Sequence, residues 1–309
     1  MTQNSINYID KPFEVQKTSD VVYANAAIHF SDQPIKRNLL LDIYQPIGLP
    51  LGMQSPALIM AFGGAFHRGS KDDDAFEVDG SRNTAISEYC LEFAKRGYVC
   101  FSIDYRLIQE DPDPGNTVSI SNPDFVPRSR VDEVRKIMNL PPADNLMLWR
   151  GIEGAIDDGV AAIQWVKNNS ERLNIDPQKI AIGGWSAGGR IALHAAFAER
   201  EEVAAIFSIS GYMHPEDMKA YMHGGLGVPP VFVSWGSKDL DYVLSQGPVF
   251  QEHFNKVGIH HVACAIQDAS HFYPRNIPVS DSTGLNGTFE DSLAHFLKRA
   301  LNIGVDSIS

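Results

Sequence analysis

The sequence predicts an α/β fold with a mostly parallel central sheet, on three observations. Short continuous apolar runs alternate with longer amphipathic stretches along most of the chain, the pattern of strands covered on both faces and joined by helices. The 309 residues, 44% hydrophobic and 21% charged, can enclose a large core and do not fit a disordered or fibrous chain. No internal repeat, heptad array or low-complexity segment interrupts that rhythm.

Taken in order, Leu39–Tyr44 reads as an early strand and Ala57–Ala61 as a buried one. The following loop, Ala61–Gly80, holds Gly63, Gly64 and the acidic run Asp72–Asp74. That run is expected to be solvated or to cap the next turn, with metal binding the weaker reading. Asn83–Arg96 is an expected helix with Gly97 at its C-terminal end. Val99–Ile103 is the next strand. Leu107–Leu148 then breaks the pattern with Pro112, Pro114, Pro123, Pro127, Pro141 and Pro142, and Arg128–Met138 is a short mixed-charge helix within it. Irregular segments of this length often cover active sites. A solvated decoration is the competing reading. In Ile152–Val166 the residues Ile152, Ala155, Ile156, Gly159, Val160, Ile163 and Val166 share one helical face. Strands are expected at Ile180–Gly183, Ala204–Ile209, Val231–Trp235 and Val262–Ile266, with helices at Ala187–Ala198 and Phe289–Leu301. The expected organisation is one domain over 1–309, with 107–149 as an irregular, lid-like insertion.

With 26 basic and 38 acidic side chains the formal charge is −12, which counts against nucleic acid as the main partner. No apolar run approaches the roughly 18 residues that span a bilayer. The polar opening Met1–Tyr8 has neither a basic nor an apolar signal region, so a cytoplasmic location is expected. Cys90, Cys100 and Cys264 are scattered in apolar surroundings and read as buried reduced thiols rather than a disulfide or metal framework.

The segment Gly184-Trp185-Ser186-Ala187-Gly188 matches G-x-S-x-G, with Gly183 before it and Gly189 after it. The pentapeptide alone is weak; the expected strand Lys179–Gly183 and helix Ala187–Ala198 around it supply the setting of a nucleophile elbow. Only small neighbours at Gly184 and Gly188 let strand and helix close around a strained serine. A phosphate-binding turn is the alternative, weakened because no Lys or second Gly-x-Gly arrangement follows.

Four more motifs stand in a matching order: Leu41-Asp42-Ile43-Tyr44-Gln45-Pro46, Phe62-Gly63-Gly64-Ala65-Phe66, Asp104-Tyr105-Arg106-Leu107 and Ile175-Asp176-Pro177. Together with the elbow, from about Leu39 to Leu301, they resemble the α/β-hydrolase fold. Within it they are similar to the carboxylesterase branch near hormone-sensitive-lipase-like and feruloyl-esterase-like enzymes. The resemblance implies a mostly parallel sheet of about eight strands flanked by helices, with Ser186 as nucleophile. It implies oxyanion donors at Ala187 and at Gly64 and Ala65, although Phe62 and Ala65 depart from the family's H-G-G-G motif.

The chain order of this fold is Ser, then Asp or Glu, then His. His271 follows the strand Val262–Ile266 by a short loop and resembles the family's terminal catalytic His. His260 and His261 precede that strand, and His67 and His223 come too early. Gly236-Ser237-Lys238-Asp239 resembles the family's G-x-x-D and makes Asp239 the acid, with Asp241 its rival and Asp268 a loop cap. Phe66 and Trp185 are placed near the substrate by analogy, and Phe62 and Phe272 border the inferred site. Tyr105 reads equally as core, and Arg106 as an internal ion-pair partner.

The implied activity is a serine carboxylic ester hydrolase working through an acyl-enzyme on small to medium esters, aryl esters included, with no metal or organic cofactor. A small-molecule ester is the expected partner, and a homo-oligomer is left open. The alternatives are a serine peptidase or amidase of the same fold, formamidase-like activity included, and a non-catalytic hydrolase-fold binding protein.

Overall fold

The computed structural model describes residues 6–304; the first five residues of the polar opening segment lie outside that range. Eight strands form one sheet: β1 (Glu14–Ile28), β2 (Ile35–Ile47), β3 (Ser55–Ala61), β4 (Val99–Ile103), β5 (Ile175–Trp185), β6 (Ala205–Ile209), β7 (Val231–Lys238) and β8 (His261–Ser270). Their spatial order is β1-β2-β4-β3-β5-β6-β7-β8. The pairings β1–β2 and β2–β4 are antiparallel; all others are parallel. Every residue of β3, β4 and β6 is buried, which is why these strands read as unbroken apolar runs.

The helices are α1 (Ile86–Ala94), α2 (Ser129–Ile137), α3 (Asn145–Asn168), α4 (Ala187–Phe197), α5 (Pro215–Tyr221), α6 (Asp241–Val257) and α7 (Phe289–Ala300). Helix α3 starts earlier than the apolar face alone suggests. Asp144 accepts the Met147 amide at 2.7 Å and caps it, so the tail of the expected insertion is helical. Upstream, the insertion consists of two short 3₁₀ turns, Ile108–Glu110 and Pro123–Phe125, followed by α2. The acidic run divides: Asp72 and Asp73 are exposed, whereas Asp74 is buried and accepts the Ile86 amide at the start of α1 at 2.7 Å. Cys90, Cys100 and Cys264 are all buried and free.

Two long elements lie outside the apolar-run pattern. Strand β1 sits at the sheet edge with most residues exposed or half-buried, and its pairing to β2 is interrupted at Thr18/Val21 and Val22/Ala24. Helix α6 carries Pro248 in its interior, where proline normally argues against helix.

The buried pair Arg106–Asp158 ties the insertion to this frame. Arg106 Nη2 lies 2.8 Å from Asp158, and the guanidinium also donates to the carbonyls of Ala27, Asp113 and Gly154. β1, the insertion and α3 therefore share one cation. Parallel strands β3 and β5–β8 leave their carboxyl ends along one edge, the edge at which open α/β sheets place their sites.

Candidate active site

Three of those carboxyl ends bring Ser186, Asp239 and His271 together. Ser186 stands between β5 and α4 with φ 53° and ψ −109°, a conformation that costs an L-residue on the order of 1–3 kcal/mol. Its amide donates to the Ile209 carbonyl at 2.7 Å, which anchors the turn to the end of β6. A Cβ on Gly184 would stand 2.2 Å from the Ala61 carbonyl oxygen, and one on Gly188 1.9 Å from the same atom. Strand β3 therefore packs directly on both sides of the elbow, and neither glycine can carry a side chain without backbone movement.

Asp239 follows β7. Its Oδ2 accepts from Ser210 Oγ at 2.7 Å and the Gly236 amide at 3.0 Å; its Oδ1 accepts from the Leu240 amide at 2.8 Å and faces His271 Nδ1 at 2.5 Å. Burial pushes this carboxyl upward, but His271, Ser210 and the Gly236 amide together hold it below the usual carboxylate range. His271 follows β8, whose pairing to β7 slips between Ile266 and Ser270. That irregularity re-aims the chain as it leaves the sheet. His271 Nε2 lies 2.9 Å from Ser186 Oγ, completing a line from carboxylate through imidazole to hydroxyl. Asp241 is exposed at the first turn of α6, and Asp268 pairs with Lys238 at the surface. His260 and His261 lie at the far end of β8, and His223 is exposed.

The loop after β3 turns sharply, with Gly64, Ala65 and Phe66 at φ 126°, 55° and 59°. Gly64 has no substitute there, since a Cβ would meet the Arg68 carbonyl oxygen at 2.0 Å. The Gly63 amide is taken by buried Asp74 at 2.8 Å, and burial pushes the Asp74 carboxyl up to about 7. By contrast, the amides of Gly64, Ala65 and Ala187 donate to no protein acceptor among the described residues. Of these, Ala65 and Ala187 border the cavity beside Ser186; Gly64 does not. His67, buried below the loop, bridges the Ala65 carbonyl (2.7 Å) and Arg135 of α2 (2.9 Å), and burial lowers it to about 4. A neutral ring donating through Nδ1 and accepting through Nε2 satisfies both contacts.

The cavity at Ser186 encloses about 390 Å³ including its open mouth. Phe66 and Tyr212 line it, together with Val126, Pro127 and Val131 of the insertion. The other aromatic residues expected at the site stand behind it. Trp185 donates from Nε1 to the His271 carbonyl at 3.2 Å and packs 5.2 Å from the imidazole, while Phe272 lies edge-on to the same ring at 5.3 Å. Phe62 is 1% exposed, stacked on Tyr105 at 4.1 Å, and does not border the cavity. None of the three is in the lining of the cavity beside Ser186: Trp185 and Phe272 pack on the imidazole, and Phe62 packs on Tyr105.

Two side chains at the site escape a motif reading. Asp74 was legible only as part of an acidic run. Arg190 lines the cavity from α4 and is 4% exposed. Its signal was a lone charge in the Ala-rich stretch one turn after Ser186.

The family model for the alpha/beta hydrolase fold matches residues 151–224, the stretch running through the elbow. Among solved structures, esterase 2 of Thermogutta terrifontis phosphorylated by paraoxon is similar with TM-score 0.58 and 18% identity over 94% of this chain and 93% of that one. The native form of the same esterase gives 0.53 and 19%, over 94% and 89%. Lysophospholipase-like protein 1 of Mus musculus is 29% identical over 87 residues, 28% of this chain. Non-reducing polyketide synthase atr1 of Stereocaulon alpinum is 25% identical over 209 residues, 63% of this chain. The aligned stretches span only 36% and 6% of those two proteins. The chain has the α/β-hydrolase fold.

Proposed function

We propose that this α/β-hydrolase-fold chain is a serine carboxylic ester hydrolase that works through an acyl-enzyme. The observation that carries the reading is the buried line Asp239–His271–Ser186, with contacts of 2.5 and 2.9 Å. His271 Nδ1–H donates to Asp239, which leaves Nε2 as the lone pair facing the hydroxyl. As Ser186 Oγ bonds to the acyl carbon, its proton passes to Nε2, and Asp239 stabilises the imidazolium without taking a proton. The N–H groups of Ala187 and Ala65, which border the cavity and have no protein acceptor among the described residues, are read as the donors to the developing oxyanion, with Gly64 shaping the turn. Collapse breaks the bond to the alkoxy oxygen, which leaves with the Nε2 proton. Water then adds to the acyl-serine by the same route, and the acid is released. All groups in this cycle are protein groups or water.

The similarity to an esterase that paraoxon phosphorylates supports the choice of probe. A fluorophosphonate is expected to modify Ser186, found by peptide mapping, and p-nitrophenyl esters are expected to turn over far faster than the matching p-nitroanilides. Modification of a different serine, or anilide turnover matching the esters, would refute the reading. The small cavity supports short acyl or aryl groups, and residues 107–149 are read as a cover over it, contributing Val126, Pro127 and Val131. A reducing, cytoplasmic location is supported by the three free, buried cysteines.

A further inference from the structure

Arg190 is the one charged side chain among the residues lining the cavity of Ser186. It stands one helical turn after the nucleophile on α4, its amide donating to the Ser186 carbonyl at 3.1 Å. The guanidinium is buried, and its Nε and Nη2 have no hydrogen-bond partner among the described residues. Its neighbour is the Tyr212 ring, 5.7 Å away. Neither Asp217 nor Glu153 is hydrogen-bonded to the guanidinium: Ser121 donates to Asp217 Oδ1, leaving Oδ2 without a partner among the described residues, and the Ser119 and Ile120 amides donate to Glu153. Arg68 stands over Phe76 at 4.2 Å, whereas Arg130, over the Phe272 ring at 5.2 Å, is paired with Glu133 at 2.7 Å. A buried guanidinium with two unpartnered donors, on a residue that lines the cavity of Ser186, matches a planar oxyanion in charge and geometry.

We propose that Arg190 anchors a second, ionised carboxylate on the substrate, so that this site acts on esters bearing a carboxylate, half-esters of short dicarboxylic acids being the simplest. The inference rests on the ester-hydrolase reading above and deepens it. Burial disfavours an unpaired guanidinium, and a bound carboxylate removes that penalty.

The test compares kcat/KM for matched charged and neutral esters, corrected for spontaneous hydrolysis. One arm carries the charge on the acyl side (p-nitrophenyl hydrogen glutarate against p-nitrophenyl glutaramate). The other carries it on the alcohol side (4-(carboxymethyl)phenyl butyrate against its carbamoylmethyl analogue). In one arm the wild type is expected to favour the carboxylate by about ten- to a hundredfold. Arg190→Met should bring that ratio close to one, and Arg190→Lys should leave an intermediate value. Free glutarate should also inhibit neutral-ester turnover competitively in the wild type, a readout that does not depend on a variant folding. Ratios near one in both arms with no inhibition by glutarate, while neutral esters turn over and Ser186 labels, would overturn the proposal and leave the ester-hydrolase reading intact. An equal fall for charged and neutral esters in Arg190→Met would also overturn it, making the arginine a packing partner of Asp217. Absence of both labelling and ester turnover would remove both readings together.

Discussion

Ser186 shows how a single position couples strain to chemistry. Its positive φ is held by one hydrogen bond, from its amide to the Ile209 carbonyl, and by two nearby glycines, and the same geometry holds Oγ 2.9 Å from His271. Ser186→Ala is expected to lower kcat for ester hydrolysis by at least about 10³-fold and to abolish fluorophosphonate labelling, while thermal unfolding stays close to wild type. Asp239 accepts four contacts that fix its orientation, and those from His271, Ser210 and the Gly236 amide keep it ionised. Asp239→Asn removes the charge and allows the wrong imidazole tautomer, so kcat should fall by roughly 10⁴-fold with KM little changed. Stopped-flow or steady-state ester kinetics check both. The hydrogen-bonded line of Ser186, His271 and Asp239 could be anticipated because each residue follows an expected strand or its loop, in the order the proposed roles demand. The roles of Trp185, Phe272 and Phe62 were not legible: an aromatic beside a site in sequence can face it or brace it, and only packing decides.

Among the elements, the contact of β3 with the β5–α4 turn carries the most consequence. The G-x-S-x-G spacing already implied small residues, and the close approach of the Ala61 carbonyl to both glycines supplies the reason. Gly188→Ala should destabilise the fold by at least about 1–3 kcal/mol through overpacking and displace the nucleophile, seen as a lowered Tm together with loss of labelling at Ser186. Helix α2 appears where the mixed-charge pattern suggested, Ser129–Ile137 against the expected Arg128–Met138. Strand β1 and helix α6 were unreadable for opposite reasons. An edge strand exposes much of its length and need not look apolar, and an interior proline hides a helix whose buried face still packs.

Across the fold as a unit, two buried ionisable groups, Arg106 and Glu153, bear on stability. Arg106 joins β1, the insertion and α3 through Asp158 and three carbonyls. Arg106→Met strands that carboxylate and should cost about 3–5 kcal/mol, a fall in Tm of the order of 10 °C by calorimetry. Glu153 on α3 acts through pH. Burial pushes it up to about 7, against the lowering effect of the Ile120 and Ser119 amides. The folded state thus holds this proton more tightly than the unfolded chain does. Stability is complete below about pH 4.5, declines as pH rises toward 7, and levels off above it. Relative to wild type, Glu153→Gln should gain about 2–3 kcal/mol between pH 5 and pH 8, measured by urea unfolding at both values.

Linear order carried the fold class and pointed to the three residues that the structure brings together, because buried strands must be apolar and a nucleophile elbow must be small around its serine. Both requirements act on neighbouring residues and leave a readable mark. Tertiary structure alone decided which aromatics face the cavity, that Asp74 holds the Gly63 amide, and that Arg190 is buried with empty donors beside Ser186. Those properties arise from residues distant in the chain meeting in a low-dielectric interior, where the partner of a polar group, or its lack of one, is fixed by packing and not by adjacency.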